Sequence, residues 1–241
     1  MSEGFAEFSA SLYVQYVRQD QKKFLDFWND QRDRIIQSGP QTKDIKPYTI
    51  GPVTQGYRLS SGKTRAAYQY LVYPKGAYIL HMIRMMFNNG RDHDKFFQEM
   101  MKDFIQAHYN QDVSTEDFKR SVEKHMSSEM DLDGNQRLDW FFNEYVYGTS
   151  LPTYKLESSF DKNSDGDLVF SMKLAQSGVD ERFRMLVPIY LELADGHVTS
   201  IGRVALVGNT SQEAKISLKG LKDTPHRAML NYYDDVLASP N

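Results

Sequence analysis

Apolar side chains recur at helical spacing through the first 150 residues. Phe5, Phe8, Leu12 and Tyr16 repeat every three or four positions, which predicts an amphipathic helix from the start of the chain to about Arg18. The same spacing predicts further helices over residues 22–36, 74–87, 94–109 and 138–147, and one that starts at 114. The helix over 74–87 is apolar on most sides and is therefore expected to be buried. Gly and Pro residues predict an extended loop over 42–64.

The pattern changes from about Leu151, where apolar and polar residues alternate with period two. This alternation predicts strands within residues 154–158, 168–174, 187–193, 203–207 and 214–218, separated by turns. Short strands of this kind are typical of an antiparallel sandwich. The sequence thus predicts a multi-domain α and β protein, with a helical domain over 1–150 and a small antiparallel β-sandwich over 151–241.

Composition narrows the classes of function. The 241 residues are 40% hydrophobic and 25% charged, as in a globular protein, and no apolar run approaches the roughly 20 residues of a membrane span. The net charge of −3 argues against a nucleic-acid partner, since phosphate binding needs an excess of Lys and Arg. Cysteine is absent, which excludes thiolate catalysis and disulfides. The cytoplasm and the periplasm are both possible locations for the protein.

Two short motifs carry candidate chemistry. One is Glu3-Gly4-Phe5-Ala6, and the other is Tyr73-Pro74-Lys75-Gly76. Taken singly, a glutamate at a helix start is a favourable dipole partner, and a tyrosine is one of 15 that could pack in a core. In this order the motifs resemble the aminopeptidase N-like zinc metallopeptidases, or gluzincins. Residues 138–148 resemble the last helix of that family's catalytic region, with Tyr145 where the family usually has tryptophan.

The resemblance implies a fold and a mechanism. Residues 1–150 would be the helical half of a thermolysin-like catalytic domain, with zinc as the cofactor and a peptide as the substrate. Glu3 would be the third zinc ligand, and zinc with a glutamate base would activate water. Tyr73 would donate a hydrogen bond to the oxyanion of the tetrahedral intermediate. We expect Tyr73 at a helix N-terminus, because Pro74 suits the first helical position.

The His-Glu-x-x-His helix of that family is missing from the sequence. The six histidines are His81, His93, His108, His125, His197 and His226, and none of them forms a His-x-x-x-His pair. We therefore expect a C-terminal portion of a metallopeptidase that is inactive alone; the alternative is a non-catalytic pseudoenzyme or protein-binding module. His81 lies in the Tyr73 helix and could approach the site, but a packed or solvated histidine is the favoured interpretation. Missing neighbours would expose apolar faces around Phe5, Phe8 and the Tyr73 helix and favour self-association.

An acidic loop offers an alternative metal site. Asp161, Asn163 and Asp165 occupy the first, third and fifth positions of an EF-hand-like calcium loop, but Met172 stands where the bidentate glutamate belongs. The loop at 131–135 matches less well. Because strands flank Asp161, a polar hairpin turn is the favoured interpretation, with calcium binding as the alternative.

Overall fold

A computed structural model describes residues 2–88, 94–221 and 223–240. The chain divides into two compact units, one ending at Ser150 and the other starting at Leu151. The α-helices of the first unit are α1 (Ser2–Leu12), α2 (Gln21–Ile36), α3 (Arg65–Tyr70), α4 (Gly76–Phe87), α5 (Lys95–Ala107), α6 (Thr115–His125) and α7 (Asp139–Phe141). A turn of π-helix continues α1, α3 and α7, over Tyr13–Val17, Leu71–Lys75 and Phe142–Val146 respectively. In the part of the chain described, the helices are too short or too polar to cross a membrane.

Local signals explain where the helices begin. Asp20 caps α2 by accepting a hydrogen bond from the backbone N–H of Lys23. Ser114 and Asp117 form a reciprocal capping box at the start of α6, as its hydroxyl and acidic residues predict. The predicted helices over 22–36 and 94–109 are confirmed to within two residues at each end.

Two local predictions in this unit are wrong. Residues 42–64 do not form an extended loop, because short 3-10 helices occupy Pro47–Ile50 and Val53–Leu59. The helix predicted to open at Pro74 starts at Arg65 and runs through the π-helical turn into α4, so that Pro74 lies inside it. Proline lacks the N–H that a continuing α-helix would use, and the wider π turn accommodates this loss.

Aromatic side chains form the core of the helical unit. Trp28 of α2 is fully buried and stacks on His81 of α4, with ring centroids 3.9 Å apart. Phe8 of α1 packs against the same tryptophan. Along α4, the run from Gly76 to Arg84 is buried, as its apolar sequence predicts.

The expectation of exposed apolar faces at Phe8 and along α4 is wrong. Phe8 is only 3% exposed, and the side chains of α4 pack within the helical unit. Phe5 is half-buried. Among the exposed apolar side chains are Tyr13 and Val17, in the turn that follows α1. Self-association of the chain stays a prediction.

The second unit consists of two three-stranded antiparallel sheets. Its strands are β1 (Thr153–Lys162), β2 (Leu168–Ser177), β3 (Arg184–Glu192), β4 (Val198–Val207), β5 (Thr210–Ser217) and β6 (Arg227–Leu230). One sheet has the order β1-β2-β5 and the other the order β4-β3-β6. Along β2, buried and less buried residues alternate, so this strand turns one face inward. The buried amide of Gln176 on β2 donates to the Gly208 carbonyl beyond β4 and so joins the sheets at 2.8 Å.

Sequence alternation found five of these strands. Strand β6 was not predicted, because its four residues are too few to show a clear alternation of apolar and polar positions. Just beyond it, Asp235 is buried and accepts a hydrogen bond of 2.8 Å from the Tyr190 hydroxyl on β3. Burial raises the pKa of Asp235 to about 6, against the opposing effects of the Tyr190 hydrogen bond and Arg203.

The raised pKa of Asp235 predicts that the folded protein becomes less stable as the pH rises. The pKa of Asp235 is higher in the folded than in the unfolded chain, so between about pH 4 and pH 6 the folded state keeps a proton that the unfolded state releases. The free energy of unfolding should therefore fall across this window. Urea unfolding of Asp235→Asn at a series of pH values should show a flatter profile, whereas the exposed Asp223→Asn should retain the wild-type slope. An unchanged slope in Asp235→Asn would contradict this assignment.

Candidate active site

Two glycines bring the motifs of Glu3 and Tyr73 together. A Cβ atom on Gly4 would lie 2.7 Å from the carbonyl carbon of Gly76, closer than side-chain carbons approach backbone atoms. Helix α1 therefore crosses the start of α4 with backbone against backbone. Glu3 immediately precedes this crossing, and Tyr73 lies one helical turn before it. Segments about 70 residues apart in sequence are thus neighbours in space.

Tyr73 lies at the surface although its neighbours in sequence are buried. Its side chain is 44% exposed, whereas Val72 and Pro74 belong to the core. The phenol is therefore accessible to a ligand. The helix begins at Arg65, two turns before Tyr73, so the expectation that Tyr73 lies at a helix N-terminus is wrong. The dipole of a helix acts mainly within its first turn and therefore does not favour negative charge at Tyr73.

One face of the same helix leads from Tyr73 to an open cavity. Arg65, Gln69 and Tyr73 are exposed at intervals of four residues, which places them on a common face. The cavity has a volume of 480 Å³ and is lined by Tyr57, Ser60, Ser61, Gly62, Arg65, Tyr68 and Gln69. A ligand bound at Tyr73 would therefore find hydroxyl, amide and guanidinium groups along the helix.

Lys75 is a buried cation within the tyrosine motif. Its side chain is fully buried, and its Nζ donates a hydrogen bond of 3.1 Å to the carbonyl of Gly148. Burial lowers the pKa of Lys75 to about 8. Sequence analysis assigned this residue no role of its own. The available signal was that Lys75 is the one charged residue within the otherwise uncharged stretch 71–80.

The described residues do not provide a complete zinc site. They contain no group of three or more His, Asp or Glu side chains placed to hold a metal ion. His81 is fully buried between aromatic rings, which confirms that it is packed, and His125 contacts Asp103. His93 lies outside the described residues. Glu3 alone does not meet the three-ligand requirement of catalytic zinc.

The loop of Asp161, Asn163 and Asp165 is a hairpin turn between β1 and β2. The side-chain oxygen of Asn163 accepts hydrogen bonds from the backbone N–H groups of Asp165 and Asp167, at 3.0 and 2.8 Å. Gly166 follows with a φ of +83°, which suits glycine. The turn geometry accounts for the polar residues without a metal, and calcium binding at this loop stays a prediction.

Comparison with known protein families identifies one match. Residues 1–145 match the peptidase family M1 domain. The match spans both the Glu3 and the Tyr73 motifs and ends close to the boundary between the two compact units. No curated protein matches the chain.

Proposed function

Because this chain belongs to peptidase family M1, we propose that it supplies Glu3 and Tyr73 to the active site of an aminopeptidase-type zinc metallopeptidase. The proposal is carried by the contact between Gly4 and Gly76, which joins the two motifs. Peptidases of this family are zinc-dependent. The substrate would be a peptide, extended along the exposed helix face of Arg65, Gln69 and Tyr73.

We assign the two units to domains on the same basis. Residues 1–150 are proposed to be the helical part of a thermolysin-like catalytic domain, and residues 151–241 a β-sandwich domain. The family match over 1–145 supports the first assignment. The two antiparallel sheets support the second.

Glu3 is proposed as a zinc ligand that needs partners from elsewhere. The described residues supply no cluster of ligands, so the other two must come from outside them. No catalytic step is assigned to the 241-residue chain by itself, and we expect it not to hydrolyse peptides.

Tyr73 is proposed as the donor to the oxyanion. Its phenol is accessible and can donate one hydrogen bond. A donor aimed at charge that develops during the reaction stabilises the transition state more than the bound substrate.

The coding sequence upstream of this chain provides the direct test. We expect an in-frame His-Glu-x-x-His about twenty codons before Glu3, and the longer product should bind zinc and hydrolyse an aminoacyl-anilide. In that product Glu3→Gln should lower the zinc content, because a neutral amide replaces a carboxylate ligand. Glu7→Gln, one turn along α1, is the matched control.

Three results would count against the proposal. A gene without the histidine pair would favour a non-catalytic binding module. Chelator-sensitive hydrolysis by the 241-residue chain alone would refute its inactivity. Equal zinc content in Glu3→Gln and wild type would remove Glu3 from the ligand set.

A further inference from the structure

The helix that carries Tyr73 is weakened where the phenol emerges. Pro74 lacks an N–H and so removes one backbone hydrogen bond from the π-helical turn Leu71–Lys75. At the end of the turn, the N–H of Gly76 donates to the carbonyl of Tyr73, three residues earlier. An α-helical N–H would instead donate to the carbonyl four residues earlier. Single π-helical turns inside α-helices are rare and are frequent at functional sites.

We propose that Lys75 is the positioning residue of Tyr73, and that its hydrogen bond to the Gly148 carbonyl fixes the π-helical turn in the orientation that presents the phenol. The inference rests on the proposed function of Tyr73. Lys75 adjoins Pro74, and its Nζ reaches a carbonyl 73 residues further along the chain. The bond thus restrains the turn from outside the helix.

The anchor at Gly148 is itself held in place. A Cβ atom on Gly148 would lie 2.5 Å from the Glu144 carbonyl oxygen, so the backbone here packs closely on the preceding helical turn. The neighbouring Tyr147 donates a hydrogen bond to Glu116 of α6. Gly148 is therefore tied to α6 and α7, and Lys75 transmits this rigidity to the turn of Tyr73.

Stability alone does not explain a lysine at this position. A fully buried amine with one hydrogen bond loses its hydration, and the depressed pKa of Lys75 reflects this loss. A methionine of similar length would fill the same space without a charge. Residues that lower stability in this manner are characteristic of functional sites.

The test follows the Tyr73 ring by NMR in the 241-residue chain with 13C-labelled tyrosine. The resonance is identified by its disappearance in Tyr73→Phe. In the wild type we expect it to shift with a midpoint near pH 8, as Lys75 titrates. In Lys75→Met the midpoint should vanish and the resonance should move. Lys102→Met replaces an exposed lysine on α5, away from the Gly148 anchor, and should leave the Tyr73 resonance unchanged.

A second measurement uses the longer, zinc-loaded gene product. Lys75→Met should lower kcat about 100-fold with little change in KM, because misplacement of a catalytic group by about 1 Å has such an effect. Inactivity of the wild-type product would refute the proposed function, and the NMR experiment would still decide the role of Lys75. An identical Tyr73 resonance in wild type and Lys75→Met would overturn the inference. If Lys75→Met fails to fold, the wild-type chain is labelled with 13C at both tyrosine and lysine. A Tyr73 resonance that stays constant while the 13Cε signal of Lys75 titrates would then overturn the inference equally.

Discussion

Tyr73→Phe is expected to lower kcat about 10²–10³-fold in the zinc-loaded gene product, with KM and zinc content unchanged. The substitution removes one hydroxyl and keeps the ring. Because the side chain is 44% exposed, the variant should fold like the wild type. The lost interaction is one that the substrate makes chiefly in the transition state, which is why kcat rather than KM should change.

Steady-state kinetics with an aminoacyl-anilide would measure this effect. Tyr109→Phe, a conservative change at a tyrosine that is 72% exposed, is the matched control and should retain wild-type kcat. Equal kcat values for Tyr73→Phe and wild type would remove the phenol from the mechanism. A rise in KM at constant kcat would instead assign Tyr73 to substrate binding.

Gly4→Ala is expected to lower the free energy of unfolding by about 1–3 kcal/mol, the usual range for overpacking. Helix propensity alone predicts the opposite sign, since alanine is favoured over glycine by about 1 kcal/mol within a helix. The added Cβ would meet backbone atoms of Gly76 and Ala77, which do not rotate away as a side chain would. Helices α1 and α4 would have to separate, and with them Glu3 and Tyr73.

Urea unfolding of the 241-residue chain checks this prediction. Gly39→Ala is the control, because a Cβ there meets no atom within 4 Å and its φ of −173° is open to any residue. We expect the control to stay within about 0.5 kcal/mol of wild type. A Gly4→Ala variant as stable as the wild type would mean that the crossing of the two helices is looser than the structure indicates.

Periodicity located most of the secondary structure because burial of one face imposes it residue by residue. The repeat of Phe96, Phe97, Met100, Met101 and Phe104 predicts α5, and the alternation along 168–174 predicts β2. The errors lie where local signals compete with tertiary packing. Pro74 predicts a helix start when its sequence is considered alone. In the structure the buried helix continues through Pro74, because it widens there into a π turn.

The sequence by itself determined the family and the two candidate residues, because Glu3-Gly4-Phe5-Ala6 and Tyr73-Pro74-Lys75-Gly76 are local motifs that can be read without a fold. Only the tertiary structure decided that the motifs adjoin, since the approach of Gly4 to Gly76 depends on how two helices cross. It also decided the burial of Lys75 against Gly148, a contact between residues 73 positions apart. Local sequence specifies backbone preference, whereas contacts between distant segments depend on the packing of the whole helical unit.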